Sequence, residues 1–143
     1  MSIKQISIFI ENKQGRLSLV TDILEKNNIN IRALSLAETG EFGILRIIVN
    51  NPDQCVKVLK ENQIVAQETE VVGFEVDDTP GGIGKVLKIL SNNNINIEYI
   101  YAFVEKKGNK AFVAAKTNDV NGACKVLESN NVQTLTTDSL KSI

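Results

Sequence analysis

Two short segments of this 143-residue chain carry the residue types needed to hold a small anion. Glu11-Asn12-Lys13-Gln14-Gly15-Arg16-Leu17 and Asp77-Asp78-Thr79-Pro80-Gly81-Gly82-Ile83 each run from an acid through polar residues to a glycine, and then into an apolar-periodic stretch. A glycine at such a place lets the backbone come close to a guest. The first N–H groups of the helix that follows, at the positive end of its dipole, suit a carboxylate. Gly15 and Gly81 hold that place. A tight turn with positive φ also asks for glycine, so one such segment would mean little. The weight of the binding reading comes from its being written twice.

The rest of the chain offers little chemistry. Histidine is absent, which removes the commonest general base at neutral pH and the commonest nitrogen ligand for zinc or copper. No catalytic residue, metal ligand or cofactor is expected. Cys55 and Cys124 fall on helix-like segments with apolar neighbours and read as small buried side chains in a reducing compartment. Sixteen basic against seventeen acidic residues leave a net charge of -1, which offers no field to draw in a nucleic acid. No apolar stretch is long enough to span a bilayer, and Met1-Ser2-Ile3-Lys4 leads straight into a strand-like pattern without the plan of a signal peptide. A soluble, cytoplasmic protein without membrane or nucleic-acid partners is expected.

The elements that must position the two turns repeat with them. Ile6, Ile8 and Ile10 alternate with Gln5, Ser7 and Phe9, a strand. Leu17, Val20, Ile23 and Leu24 then recur at helical spacing from Arg16 to Asn27. Residues 29–37 and 44–49 read as strands around a Thr39–Gly43 turn, Asn51-Pro52-Asp53 opens a helix running to about Asn62, and residues 64–67 make a fourth strand. The second copy follows the same order: a strand over 71–76, a helix over 83–90 with Val86, Leu87 and Leu90 inward, and strands over 95–104 and 112–117 around a charged turn Glu105–Lys110. A helix over 120–130 and a strand over 132–136 complete it. Asn28-Ile29-Asn30-Ile31 is echoed by Asn94-Ile95-Asn96-Ile97, and Lys57-Val58-Leu59 by Lys125-Val126-Leu127, shifted by a two-residue insertion in the second hairpin. The chain is therefore two β-α-β-β-α-β copies, residues 1–69 and 70–143, an α+β fold of tandem ferredoxin-like modules. One extended antiparallel sheet with the helices on one face is expected. The join near Glu68-Thr69-Glu70 lacks the composition of a flexible linker.

On the strand from Ile95, alternation sets Ile95, Ile97, Tyr99 and Tyr101 against Ile100, Ala102 and Val104; likewise Leu34 and Leu36 oppose Ile29 and Ile31. Only one face can be covered by a module's own helices. The expectation is a homodimer through the other, burying Leu34, Leu36, Ile100, Ala102 and Val104.

A strand ending in an acid, a polar pair, Pro-Gly-x-(Leu/Ile), an amphipathic helix and then Asn-Ile-x-Ile resembles the ACT domain. That family comprises amino-acid-sensing modules attached to enzymes such as aspartate kinase and prephenate dehydrogenase. The resemblance covers both copies. Gln14 stands where proline is usual, Pro80 keeps it, and Gly82 replaces a larger residue. It implies a non-catalytic regulatory module that binds a small free amino acid, with a regulated enzyme as a further partner. By resemblance, the sites lie where Asn12, Gln14, Gly15, Arg16 and Leu17 meet Asn96 and Ile97, and where Asp78, Thr79, Pro80, Gly81, Gly82 and Ile83 meet Asn30 and Ile31. Asn12, Asp78 and Thr79 suit an α-amino group, and the unlike turns imply unlike sites.

The same fold plan hosts other functions. RNA recognition wants exposed aromatics on a basic sheet; Tyr99 and Tyr101 qualify, but Ala33 and Ser35 fill the matching places of the first copy. A copper site lacks its Cys-x-x-Cys. An acylphosphatase-like loop is faintly matched by Gln14-Gly15, but Arg16 is displaced and Leu36-Ala37 carries no amide. A structural pairing module without ligand is the remaining alternative, and it would not need the glycine turn in both copies.

Overall fold

The structure, a computed structural model, describes residues 2–142. The chain divides into two compact units, Lys4–Thr69 and a second that begins at Glu70 and also takes in Ile3. The first unit holds β1 (Ile3–Glu11) from Lys4 onward, α1 (Arg16–Lys26), β2 (Ile31–Glu38), β3 (Phe42–Val49), α2 (Pro52–Glu61) and the start of β4 (Ala66–Asp77). The second holds the rest of β4, α3 (Gly82–Asn92), β5 (Ile97–Lys107), β6 (Lys110–Thr117), α4 (Val120–Ser129), the two-residue β7 (Thr134–Leu135) and a 3₁₀ turn at Ser139–Ser142. Each unit is thus a ferredoxin-like βαββαβ module.

In the first module β3 pairs antiparallel with both β1 and β2, while the Phe9 N–H donates to the Val65 carbonyl (3.1 Å) and brings the chain ahead of β4 to the far side of β1. In the second the order is β5-β6-β4-β7, antiparallel throughout. The helices bury one apolar stripe each. Val20 and Leu24 of α1 and Cys55, Val58 and Leu59 of α2 close over Ile6, Ile8, Leu45 and Ile47. Val86 and Leu90 of α3 and Ala123, Cys124 and Leu127 of α4 close over Val72, Phe74, Val113 and Ala115. Ile89, not the expected Leu87, is the further α3 residue packed on that core. Asn51 caps α2 by accepting from the Gln54 N–H (3.2 Å), with Pro52 behind it, and Asp119 caps α4 on the Gly122 N–H (2.9 Å).

All four helices end alike. Asn28, Gln63, Asn94 and Asn131 take φ of 56°, 59°, 61° and 60°, the left-handed residue just past the helix. The next amide, of Ile29, Ile64, Ile95 or Val132, donates back to Leu24, Leu59, Leu90 or Leu127 (2.9–3.0 Å). This is the Schellman stop with its apolar anchor. Half of the Asn-Ile-Asn-Ile echo is therefore helix-stop chemistry.

Three expectations are corrected. No strand break separates residues 67 and 71: β4 runs unbroken from Ala66 to Asp77, because Glu68-Thr69-Glu70 contains no glycine or proline to interrupt an extended run. The charged turn shrinks to Gly108-Asn109, since β5 reaches Lys107 and β6 starts at Lys110. The expected last strand over 132–136 shortens to β7, because Val132 is consumed by the stop of α4.

The facing of β2 and β5 is also corrected. Each has a bulge one residue in, at Arg32 and Glu98, where the pairing jumps from Ile31 to Ala33 and from Ile97 to Tyr99. A one-residue slip inverts every later side chain. Leu34 and Leu36 thereby pair with Ile47 and Leu45, and Ile100 and Ala102 with Ala115 and Val113, all of them on the helix-covered face. The five residues expected on the helix-free face are exposed, and four of them, Leu34, Leu36, Ile100 and Ala102, border the helix side; Val104 falls in the irregular stretch of β5 between Ala102 and Lys106. The helix-free faces hold instead Tyr99, Tyr101 and an edge-to-face Phe103–Phe112 pair (6.1 Å) in the second module, and buried Gln5, Ser7, Ala33 and Ile48 in the first.

Candidate functional site

Each glycine turn joins the first strand of its module to a helix that nothing caps. Gly15 (φ 87°, ψ -10°) and Gly81 (φ 83°, ψ -3°) are both left-handed and sit at the N-cap, where no side chain accepts from the helix. Space beyond both is open: a Cβ on either would meet no atom within 4 Å. The glycines are required by conformation, and the openness leaves the helix mouth accessible. The amides of Arg16 and Gly82, expected to face a carboxylate, already donate to the carbonyls of Lys13 (3.2 Å) and Thr79 (2.9 Å). The next two amides, of Leu17 and Ser18 in one turn and of Ile83 and Gly84 in the other, belong to the uncapped first turn and point out of it. Gly82 has its own reason: a Cβ there would run into the carbonyl oxygen of Asp77.

The two mouths differ electrostatically. In the first, Glu11 receives Lys13 (2.9 Å) and Arg16 (3.4 Å), and its carboxyl is held below the usual range by the Lys13 hydrogen bond and charge, then by Arg16. Asn12 is tied to the β2–β3 hairpin at both ends, its backbone N–H donating to Glu41 (2.8 Å) and its Nδ2 to the Gly40 carbonyl (2.9 Å). That orientation leaves Asn12 Oδ1 as an acceptor. In the second mouth the cations come from the β5–β6 hairpin. Lys110 bridges Asp77, lowering the carboxyl's pKa and raising its own, and Lys106 bridges Asp78 at 2.6 Å.

A cavity of about 60 Å³ opens at the first mouth, lined by Asn12, Lys13 and Leu17 with Leu36 and Gly43 behind them. In the second module Gly82 joins a groove of about 420 Å³ with Asp77, Lys85, Lys110 and Asn131. Asn30 and Ile31 line a separate open depression of about 490 Å³ with Thr21 and Glu25. The expected residues of each turn are thus brought together: Asn12, Gln14, Gly15, Arg16 and Leu17 in one, and Asp78, Thr79, Pro80, Gly81, Gly82 and Ile83 in the other. Asn30 and Asn96 immediately precede β2 and β5 and have a structural tie that sequence reading missed. Their backbone N–H groups donate to the side chains of Asn50 (3.0 Å) and Asn118 (2.8 Å), whose own N–H groups return to the Asn30 and Asn96 carbonyls. Ile97, like Ile31, packs on its module's core. Lys106 and Lys110 were also missed, read only as part of a charged turn; lysines on both sides of Gly108-Asn109 were the available signal.

Burial pushes the Cys55 thiol up to about 12 and Cys124 upward too, so neither is a nucleophile at neutral pH. Among the described residues no group of three or more His, Cys, Asp or Glu is placed to hold a metal, and no helix is long and apolar enough to cross a membrane.

A family model described as an ACT domain pair matches residues 1–143. The chain is similar to protein BT0572 from Bacteroides thetaiotaomicron, at 42% identity over 100% of this chain and 98% of that one, with a TM-score of 0.93. It shares its fold with the regulatory subunits of aspartate kinase from Thermus thermophilus (14% identity, 88% of this chain and 91% of that one, TM-score 0.65) and Thermus flavus (12%, 88% and 90%, 0.60). No curated protein matches the sequence.

Proposed function

This chain belongs to the ACT domain family, as a pair of ACT domains, and from that premise we propose that it is a non-catalytic regulatory module that binds a small free amino acid. The observation that carries the reading is the duplicated helix start, left-handed glycine and no capping side chain, which leaves outward amides for a carboxylate in each module. The Leu17 and Ser18 amides would take the carboxylate at the first mouth, with Asn12 Oδ1 for the ammonium. Ile83 and Gly84 would do so at the second, with Asp78 and Thr79 nearby. Gln14, Arg16, Pro80 and Gly82 shape the turns, while Asn30-Ile31 and Asn96-Ile97 are the strand starts that the family resemblance adds to the sites. The signal would pass to an enzyme partner in the cytoplasm, where buried Cys55 and Cys124 stay reduced. The exposed Leu34, Leu36, Ile100 and Val104 supply apolar surface for a second copy of the chain.

The test is a thermal-shift screen against the common amino acids, followed by calorimetric titration of the hits. A ligand at 100 times its dissociation constant stabilises by about 2.7 kcal/mol, well within detection. Gly15→Val or Gly81→Val should weaken the binding. A screen in which no amino acid stabilises the protein refutes the reading.

A further inference from the structure

The two-residue insertion that distinguishes the second copy does not lengthen its hairpin turn. The β5–β6 pairing runs regularly to Ala102↔Val113 and resumes at Lys106↔Ala111, so the extra residues, Val104 and Glu105, are absorbed within β5. In the first module the same stretch runs without a break from Leu36↔Leu45 to Glu38↔Gly43. The insertion advances the next residue of β5, and that residue is Lys106, whose Nζ lands 2.6 Å from Asp78 Oδ2. Asp78 is otherwise anchored as Asn12 is: its N–H donates to the Asn109 carbonyl (2.8 Å), matching Asn12 to Glu41. The counterparts therefore differ in one respect. Asn12 presents a neutral oxygen held by the hairpin backbone, and Asp78 presents a carboxylate already carrying an ammonium group from its own chain.

We infer that Lys106 is the selectivity residue of the second mouth: it already pairs with the carboxylate that would otherwise serve a ligand's ammonium alone, so an amino acid binds there in competition with it. The inference rests on the functional reading above. Among the described residues no cation pairs with the Asn12 side chain, so the two mouths differ in affinity for the same amino acid. A ligand lacking the ammonium, such as the corresponding 2-hydroxy acid, does not compete with Lys106, and its carboxylate is favoured by the lysine's charge. Both partners are partly open to solvent, with side-chain exposures of 60% and 43%, so the competition is modest. An exposed pair of this kind is worth a factor of about two to five in affinity.

The experiment follows backbone amides of the full chain by NMR while the best amino acid from the screen, and its 2-hydroxy analogue, are titrated in. Leu17 and Ser18 report the first mouth, and Ile83 and Gly84 the second. Lys106→Met, with Lys106→Gln as the second variant should the first melt early, should raise the preference for the amino acid over its 2-hydroxy analogue at Ile83 and Gly84 by about two- to fivefold. It should leave that preference unchanged at Leu17 and Ser18, and should bind the hydroxy acid no tighter at either mouth. An unchanged or lower preference for the amino acid over its hydroxy analogue at Ile83 and Gly84, or shifts confined to Leu17 and Ser18 in parent and variant alike, overturns the inference and leaves the functional reading standing. No shift at either mouth with any amino acid overturns both.

Discussion

Adjacent glycines at the second mouth should fail for different reasons when replaced by alanine, and by different amounts. Gly81 is left-handed at φ 83° with nothing within 4 Å of its would-be Cβ, so Gly81→Ala meets only a conformational penalty. That penalty is about 1–2 kcal/mol, offset by about 0.4–1 kcal/mol because alanine narrows the unfolded chain. The net is about 1 kcal/mol, a fall in midpoint of about 2–4 °C for a chain of this size. Gly82 is the opposite case. Its backbone has no left-handed strain, but a Cβ would strike the Asp77 carbonyl oxygen, which belongs to the main chain at the end of β4 and cannot rotate aside. Gly82→Ala should cost about 3 kcal/mol, the upper range for forcing atoms into a filled site. Gly81→Asn should recover part of the Gly81→Ala loss, because asparagine tolerates this conformation. Urea unfolding of the three variants measures these differences directly. A Gly82→Ala protein as stable as Gly81→Ala would refute the account, since the close approach to Asp77 would not then exist. The same series separates stability from binding: the methyl that Gly81→Ala adds faces open space, so any affinity lost in that variant reflects collision with the guest and not a disturbed wall.

The Asp77–Lys110 pair predicts a pH signature. Asp77 is lowered by its hydrogen bond and attraction to Lys110, so its contribution is complete above the ordinary carboxylate value of about 3.9 and is lost as pH falls through the lower folded value. Lys110 is raised by Asp77, so on the basic side the contribution is complete below about 10.4 and is lost as pH rises through the higher folded value. The stability difference between the parent and Lys110→Met should be flat through neutrality and shrink at both extremes; a difference that persists unchanged into strong acid would contradict the pairing. The exposed apolar residues predict self-association: light scattering at on the order of tens of micromolar should return twice the chain mass, and the double variant Leu36→Glu, Val104→Glu should return one. A monomeric parent at that concentration removes the proposed dimer.

The duplication, the βαββαβ order, the helix mouths and most of the core were legible in the amino-acid sequence because each is written locally. Ile6, Ile8 and Ile10 alternate, Val20 and Leu24 recur at one helical turn, and Gly15 and Gly81 mark left-handed starts that few other residues allow. The Asn-Ile-Asn-Ile echo was visible too, but its meaning as a helix stop followed by an Asn50 or Asn118 tie came only with the hydrogen bonds. What the tertiary structure alone decided is register. A bulge at Arg32 or Glu98 leaves no distinctive residue type behind, yet it returns Leu34, Leu36, Ile100 and Ala102 to the helix side of their sheets. The insertion at Val104-Glu105 could be counted from the sequence, but whether it would lengthen a turn or shift a strand could not. Pairing between neighbouring strands made that choice, and it set Lys106 against Asp78. Periodicity is a property of one segment and survives in a linear string, whereas register is a relation between two segments and exists only once they are hydrogen-bonded.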